Sequence, residues 1–152
     1  MADIKDLEPL IGKWKVEASF RKSDALPEGL SGVGGSCTFE WALGGTFIIQ
    51  RSDIDIPEAP DTLAVLAPDP RSDDFNQHYF DSRTVIRVFA MTFSDGVWTL
   101  ERREPDFSSL DFWQRFSGTF SEDGSTMNGE WEMSEDEGST WFHDIEMIYT
   151  RA

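Results

Sequence analysis

Five polar side chains that could hold a ligand are spread along the sequence and belong to no single motif. They are Arg51, Arg87, Arg102, Gln114 and His143. A guanidinium presents a fork of donors that matches a carboxylate or a phosphate, and an imidazole can bind a metal or transfer a proton near neutral pH. Placed together above an aromatic pit, these groups would suit an amphipathic anion with its charge at the arginines and its apolar tail below.

Each of these side chains also has an ordinary structural interpretation, and the sequence leaves it open. The arginines could face solvent or pair with Asp53, Asp81 or Glu101, because a slip of one residue turns every side chain of a strand to its other face. His143 could be bonded to a neighbouring carboxylate or backbone group. His78 lies in a segment whose inner and outer faces the pattern does not distinguish.

Other catalytic and metal chemistry finds little support in the sequence. Cys37 is the only cysteine, so no internal disulfide can form, and we expect its thiol to be inert packing in a reducing compartment. The two histidines lack the close spacing of metal ligands, and no Gly-x-Ser-x-Gly turn is present. The glycine-rich segment 32–35 enters a strand, not a helix, and so does not form a phosphate cradle. We therefore predict no catalytic residue, no metal site and no required cofactor.

Length and charge narrow the function further. The chain has 152 residues, enough for one domain that we place at 1–152, with 29 acidic against 13 basic residues and a formal net charge of −16. That charge opposes binding to nucleic acid or to anionic membranes, although it would attract a cationic protein partner. The N-terminus lacks a signal-peptide pattern, and no apolar run approaches the length of a membrane span. We predict a cytoplasmic protein.

Short alternating runs separated by glycine-containing turns determine the predicted fold. Sequences such as Asp95-Gly96 and Asp123-Gly124 are typical of tight hairpins. The pattern predicts an all-β protein, a single up-and-down antiparallel barrel of about ten strands whose cavity would hold a small molecule. After a helical turn at 3–10, the expected strands are 13–20, 35–42, 45–53, 62–67, 76–82, 85–93, 97–103, 112–120, 126–133 and 140–150.

Loop lengths predict which end of the barrel is open. In an up-and-down barrel, odd-numbered and even-numbered connections lie at opposite ends. The long connections at 21–34, 54–61, 104–111 and 134–139 share one end with the short turn 83–84. At the other end, all connections except 68–75 are tight glycine turns. We expect an open mouth at the first end and a closed base at the second, plugged by the N-terminal helical turn.

Alternation along each strand predicts the side chains that face the interior. In the first strand it places Trp14 inside and leaves Lys13 and Lys15 in solvent. The segments 62–67, 76–82 and 85–93 stay ambiguous, because both of their faces carry apolar side chains. The further residues expected to face inward, in the first strand and in the other assigned strands, are Val16, Ala18, Phe20, Cys37, Phe39, Trp41, Phe47, Ile49, Arg51, Met127, Gly129, Trp131, Met133, Trp141, His143, Ile145, Met147, Tyr149 and Arg151.

Short motifs of glycine, tryptophan and acidic residues recur along the chain. They are Leu7-x-x-Leu10-Ile11-Gly12-x-Trp14, Trp41-x-x-Gly44-Gly45, His78-Tyr79-Phe80-Asp81-Ser82-Arg83, Asp95-Gly96-x-Trp98, Asp123-Gly124, Gly129-x-Trp131-Glu132 and Trp141-x-x-Asp144 through Tyr149. Together they cover nearly the whole chain, which thereby resembles the bacterial calycin-like domains of unknown function, relatives in shape of lipocalins and fatty-acid-binding proteins. The resemblance implies a lipocalin-like form of the barrel.

The resemblance also implies how the base is closed. In calycins the tryptophan of Gly-x-Trp packs at the base beneath a basic residue from a terminal strand. Trp14 and Arg151 would repeat this arrangement, with a structural cation–π contribution of about 0.5–2 kcal/mol. The chain departs from such sequences at Thr84, a turn position that is often glycine. Haem-binding nitrobindin-like barrels are a second comparison, in which His143 would be the haem ligand, but the glycine-repeated first strand of that group is absent here.

These observations favour a non-enzymatic barrel that binds a small apolar or amphipathic anionic molecule and that acts as a monomer or homodimer. In one alternative the same cavity belongs to an enzyme with His143 as acid–base, or holds haem. In another the acidic surface binds a cationic protein partner and side chains fill the interior. The candidate ligand contacts are Arg51, Arg87, Arg102, Gln114, His143, His78, Trp131, Trp141 and Phe39.

Overall fold

The alternating segments form the ten antiparallel strands of a closed barrel, described for residues 1–152 by a computed structural model. The strands are β1 (Gly12–Phe20), β2 (Leu30–Ala42), β3 (Phe47–Ile54), β4 (Thr62–Pro68), β5 (Phe75–Asp81), β6 (Ile86–Ser94), β7 (Val97–Arg102), β8 (Trp113–Phe120), β9 (Thr126–Ser134) and β10 (Phe142–Arg151). Each strand pairs with its neighbours in the chain, and β1 also pairs with β10 to close the barrel. The predicted up-and-down, all-β fold is confirmed.

Burial along β1 shows why this sequence forms a barrel wall. Trp14 and Val16 are 1% exposed and Ala18 is fully buried, whereas Lys13 and Lys15 are exposed. A strand with one apolar and one polar face must bury the apolar face, and a closed barrel does so for every strand at once. The resulting core includes, among its largest fully buried side chains, Trp14, Phe39, Ile48, Leu66, Phe89, Met91, Trp98, Leu100 and Met127.

The base of the barrel is closed by a short 3₁₀ helix, Ile4–Leu10. The Asp3 side chain caps it by accepting a hydrogen bond from the backbone N–H of Lys5 at 3.0 Å. Leu7 and Leu10 are fully buried beneath the barrel. The helix therefore plugs the base, as predicted.

No helix of the protein has the length and apolar character of a membrane span.

Trp14 and Arg151 meet at this base. The Arg151 guanidinium lies 4.0 Å from the centroid of the Trp14 ring, and it donates to the carbonyl oxygens of Ile11, at 2.6 Å, and Pro9. The indole Nε1 of Trp14 donates to the Leu10 carbonyl at 2.9 Å. The first and last strands are thus tied to the plug through one arginine and one tryptophan.

The two ends of the barrel differ as loop lengths predict. The connections 21–29, 55–61, 82–85, 103–112 and 135–141 surround one end, while 43–46, 69–74, 95–96 and 121–125 lie at the other. In the β6–β7 hairpin, Asp95 and Gly96 have φ values of 53° and 75°, the left-handed pair that a two-residue hairpin requires. The end with the long connections is the mouth.

β2 begins at Leu30, earlier than the predicted start at 35. Its first residues pair with the end of β1, Val33 opposite Ala18 and Leu30 opposite Phe20. Because glycines have low strand propensity, the sequence pattern did not indicate that residues 30–34 belong to this strand. At Gly35 the glycine is required, because a Cβ there would collide with the backbone carbonyl oxygen of Asp53.

The strands β4, β5 and β6 carry apolar side chains on both faces. Leu63, Phe80 and Ile86 are directly paired neighbours on the outer face and are 36%, 40% and 36% exposed. On the inner face, Leu66 is fully buried and Phe89 is 2% exposed. This double-sided pattern is why alternation alone does not assign an inner face to these strands.

Thr84 closes the turn between β5 and β6 with a φ of 66°, in the left-handed region that favours glycine. Its backbone N–H donates to the Asp81 carbonyl oxygen at 2.9 Å. The Asp81 carboxylate accepts a second turn bond, from the backbone N–H of Arg83 at 2.9 Å. The turn therefore keeps a glycine-type backbone although a β-branched residue occupies it.

Candidate functional site

A cavity of about 370 Å³ extends from the mouth into the barrel. Its size lies within the range of small-molecule sites. Most of the wall is apolar, and its apolar lining residues include Ala18, Phe20, Ile54, Ala64, Phe89, Trp98, Leu100, Phe112, Phe116, Trp131, Met133, Ile145 and Met147. The inward positions of β1, β9 and the end of β10 follow the predicted alternation.

Aromatic rings packed against one another form one side of this cavity. Trp131 lies 5.5 Å from Phe89 and 5.1 Å from Phe116, measured between ring centroids. Phe116 in turn meets Trp98 edge to face at 4.9 Å, and the buried indole Nε1 of Trp98 has no hydrogen-bond acceptor. Rings held by several neighbours present a rigid apolar surface to a ligand.

Arg87, on β6, is the arginine that lines the cavity without a carboxylate partner. Its Nη1 donates to Oε1 of Gln114 on β8 at 2.8 Å, and its guanidinium lies 5.2 Å from the centroid of the Phe112 ring. Burial, followed by the nearby positive charge of Arg102, lowers the pKa of Arg87. Both effects disfavour the charged form of Arg87, and no neighbouring carboxylate neutralises its charge.

Arg102 is buried beside the mouth and is paired with a carboxylate of the β7–β8 loop. Its side chain is 1% exposed, and its Nε and Nη2 donate to the two carboxylate oxygens of Asp106 at 2.9 and 3.1 Å. Nη2 also donates to the carbonyl oxygens of Ser108 and Ser109. The expectation that Arg102 contacts a ligand is wrong, because its Nε and Nη2 are bonded within the protein and the residue does not line the cavity.

Asp106 is held in the ionised state by the same contacts. Burial alone would raise the pKa of this carboxyl group. Hydrogen bonds from Arg102 and from the backbone N–H groups of Val88 and Ser108 outweigh burial, and the pKa lies well below its usual range. The loop 103–112 is thereby anchored to β6 and β7 at the mouth.

Arg51 faces the outside of the barrel, contrary to the sequence prediction. Its Nη1 lies 3.7 Å from a carboxylate oxygen of Glu40 on the outer surface. The phase of β3 is set by its pairing with β2, where Gln50 lies opposite the inward Phe39. Apolar residues occupy both faces of β3, so the sequence pattern alone does not reveal this phase.

Phe39, another predicted ligand contact, packs edge to face on Trp98 at 5.8 Å, within the core and outside the cavity lining.

His143 also lies on the outer surface, because β10 contains a bulge. The pairing register shifts between His143 and Ile145, leaving Asp144 as an extra residue. Ile145 keeps its inward position, but His143 is turned outward and its Nδ1 lies 2.5 Å from Oε1 of Glu130. The predicted inward position of His143 is therefore wrong, and neither an acid–base role nor haem ligation within the cavity is open to it.

His78 and Trp141 are the other two candidates that the structure places outside the cavity. His78 alternates with the cavity-lining residues Gln77 and Tyr79 and lies half-buried on the outer face of β5. Trp141 precedes β10, and the guanidinium of Arg115 lies 3.9 Å from its ring centroid. Neither residue is among those that line the cavity.

Two glutamines that the sequence analysis did not single out lie inside the barrel. Gln50 and Gln77 are 8% and 3% exposed, and Nε2 of Gln77 donates to Oε1 of Gln50 at 2.8 Å. Nε2 of Gln50 lies 3.7 Å from the sulfur of Cys37. Burial raises the pKa of this thiol to about 12, so it is neutral and unreactive at ordinary pH. In the sequence, the available signal for Gln77 was a polar residue that alternates with the aromatic residues Phe75 and Tyr79.

Tyr79 is a further polar residue that lines the cavity, on a strand whose inner face the sequence leaves undecided. Its hydroxyl donates to a carboxylate oxygen of Asp81 at 2.8 Å, and that oxygen also accepts from Nη2 of Arg83 at 2.6 Å. Burial, reinforced by the hydrogen bond to Asp81, raises the pKa of Tyr79 well above its usual value. Tyr79 is therefore a neutral hydroxyl at the mouth. No group of three or more His, Cys, Asp or Glu side chains is arranged to hold a metal ion.

The fold and its cavity define a class of protein, the closed ten-stranded antiparallel barrels with an interior open at one end. No protein-family model and no curated protein matches the sequence. Among solved structures, the chain is similar to the crystal structure of Rv2717c from M. tuberculosis, with a TM-score of 0.64 and 14% identity, covering 98% of this chain and 96% of that one. At this level of identity, the likeness shows the barrel fold alone.

Proposed function

We propose that this protein is a non-enzymatic carrier that binds a small amphipathic carboxylate in its cavity, with the carboxylate at Arg87. The observation that carries the proposal is the position of Arg87, which lines the cavity with a neutral amide, Gln114, as its hydrogen-bond acceptor. A guanidinium matches a carboxylate through two parallel hydrogen bonds. A bound carboxylate would supply the anion that Arg87 lacks.

The other arginines around the mouth already have such partners. The pairs are Arg21 with Asp144 at 3.1 Å, Arg83 with Asp81 at 2.6 Å, and Arg102 with Asp106 at 2.9 Å. Leaving a partly buried cation without an anion is costly, whereas a paired one is tolerated. The contrast between these pairs and Arg87 therefore favours a site for an external anion.

The apolar wall supports an aliphatic or aromatic tail on the same ligand. Phe89, Phe116 and Trp131 form a packed surface deeper in the barrel than Arg87. Each methylene group removed from water contributes about 0.8 kcal/mol. A medium-chain fatty acid would therefore gain affinity from its tail and orientation from its head group. We include in this proposal the calycin-like relationship and the cytoplasmic location that the sequence predicts.

Replacing Arg87 with leucine tests the role of its charge. We expect Arg87→Leu to weaken the binding of dodecanoate by about ten- to a hundredfold, since hydrogen bonds to charged groups contribute about 1.5–3 kcal/mol. Methyl dodecanoate has the same tail without the charge, so its affinity should change little. Isothermal titration calorimetry of both ligands against both proteins makes the measurement.

Arg51→Leu is the matched control, because it removes the same charge from the outer face. It should bind dodecanoate as the unmodified protein does. An equal loss of affinity for acid and ester in Arg87→Leu would remove Arg87 from the proposed role. Failure of the unmodified protein to bind either compound would contradict the choice of ligand class.

A further inference from the structure

The buried amides of Gln50 and Gln77 do not use up their own hydrogen-bonding capacity. A glutamine side chain offers two N–H donors and a carbonyl acceptor. The two amides share one bond of 2.8 Å, and Gln50 has a cysteine sulfur as its further contact. Both line the cavity, and Oε1 of Gln77 has no hydrogen-bond partner in the protein. This oxygen is not one of the buried atoms that lack a partner, so it is open to the cavity.

An amide pair in this position is unexpected from packing alone. The neighbouring inward positions are apolar, Ala64 between the two strands and Leu66 directly opposite Gln77. Two leucines would fill the same space without polar atoms that need partners, since a buried polar group costs free energy unless it is hydrogen-bonded. Ligand-binding cavities of apolar character use a few placed polar groups to fix what they bind.

The position of this amide pair relative to Arg87 sets how far along a bound ligand, counted from its carboxylate, the glutamines would lie. Arg87 lies opposite Tyr79, and Gln77 is two residues further along β5 towards the base. Strand geometry, with about 3.4 Å per residue and about 4.8 Å between strands, places the Cα atoms of Arg87 and Gln77 about 8 Å apart. A ligand whose carboxylate meets Arg87 would therefore pass the glutamines midway along a medium-length chain.

We propose that the ligand carries a second polar group, a hydroxyl or a keto oxygen midway along its tail, which hydrogen-bonds to Gln77 and Gln50. The inference rests on the proposed carboxylate site at Arg87 and adds to it the class of ligand, an oxygenated medium-chain acid. A plain fatty acid would leave the amides facing methylene groups. A mid-chain oxygen satisfies them.

Two ligands and one substitution test this inference. The ligands are dodecanoate and a dodecanoate hydroxylated midway along its chain, titrated by calorimetry. We expect the hydroxylated acid to bind the unmodified protein roughly three- to tenfold more tightly, the worth of a net hydrogen bond. In Gln77→Leu this preference should disappear or reverse, because the amide that recognises the hydroxyl is gone.

Asn128→Leu is the control, since it replaces an amide on the exposed face of β9 and should keep the preference. Gln50→Leu is a second variant that removes the other half of the amide pair and should also reduce the preference, with thermal denaturation checking that both variants are folded. Equal or tighter binding of plain dodecanoate by the unmodified protein would overturn the inference and leave the carboxylate site standing. Binding of neither acid would overturn both.

Discussion

The contacts that each arginine side chain already makes decide which arginine could bind a ligand. Arg51 lies beside Glu40 on the outer face, whereas Arg102 is enclosed by Asp106 and two carbonyl oxygens of its loop. Only Arg87 among these three both lines the cavity and lacks a carboxylate. All three were candidates in the sequence, where residue type and strand position looked alike.

The pair of Arg102 and Asp106 gives a prediction about acid stability. Hydrogen bonding lowers the pKa of Asp106 in the folded protein below its value of about 3.9 in an unfolded chain. A lowered folded-state pKa stabilises the fold above about pH 4, and this contribution is lost as pH falls further, towards the folded-state pKa. Asp106→Asn should therefore lower the free energy of unfolding at pH 7 by about 3 kcal/mol and reduce its dependence on pH below about 4.

Urea denaturation at a series of pH values measures this effect. Glu122→Gln is the control, since it neutralises an exposed carboxylate in a turn and should change stability by no more than about 0.5 kcal/mol. If Asp106→Asn matched that control at pH 7, the ion pair would contribute nothing to the fold.

At the scale of single strands, two paired glycines in β8 and β9 leave space for the aromatic wall, the packed rings of Phe89, Phe116 and Trp131 that line the cavity. Gly118 lies opposite Gly129, and a Cβ at Gly129 would come within 2.6 Å of the Phe116 ring. Phe116 is 2% exposed and packs on both Trp98 and Trp131. The glycine at 129 thus allows the ring that forms part of the cavity.

Gly129→Ala should therefore lower the free energy of unfolding by about 1–3 kcal/mol, as expected when a well-packed core is overfilled. Thermal or urea denaturation checks the value. The matched control is Gly34→Ala, because a Cβ at Gly34 would make an ordinary contact of 3.5 Å with the Asp55 carboxylate. Similar stability of the two variants would show that the Phe116 ring can move aside freely.

The strands also show what the sequence could and could not predict. Two-residue alternation and Asp-Gly turns are local signals, and they were sufficient for ten strands, their order and the open end. The inward face of β3 depends on its pairing with β2, which is a contact distant in sequence. The outward turn of His143 depends on one extra residue, Asp144, which leaves no mark in the alternation of its neighbours.

For the whole molecule, the net charge of −16 opposes the approach of an anionic ligand. Raising the ionic strength from about 0.01 M to 0.15 M shortens the screening length from about 30 Å to about 8 Å. The long-range repulsion should weaken more than the contact at the partly buried Arg87. Stopped-flow measurement should then show the association rate constant of dodecanoate rising several-fold, with that of its methyl ester little changed. A rate that falls with salt would mean that a positive mouth attracts the ligand.

The most direct test of the carboxylate site is the crystal structure of the protein with an ω-bromo dodecanoate, located by the anomalous scattering of bromine. We predict that the carboxylate lies within hydrogen-bonding distance of the Arg87 guanidinium and that the bromine lies against the aromatic wall of Phe116 and Trp131. A bromine at the mouth with the carboxylate elsewhere, or a ligand on the outer face of the barrel, would contradict the proposed carboxylate site at Arg87.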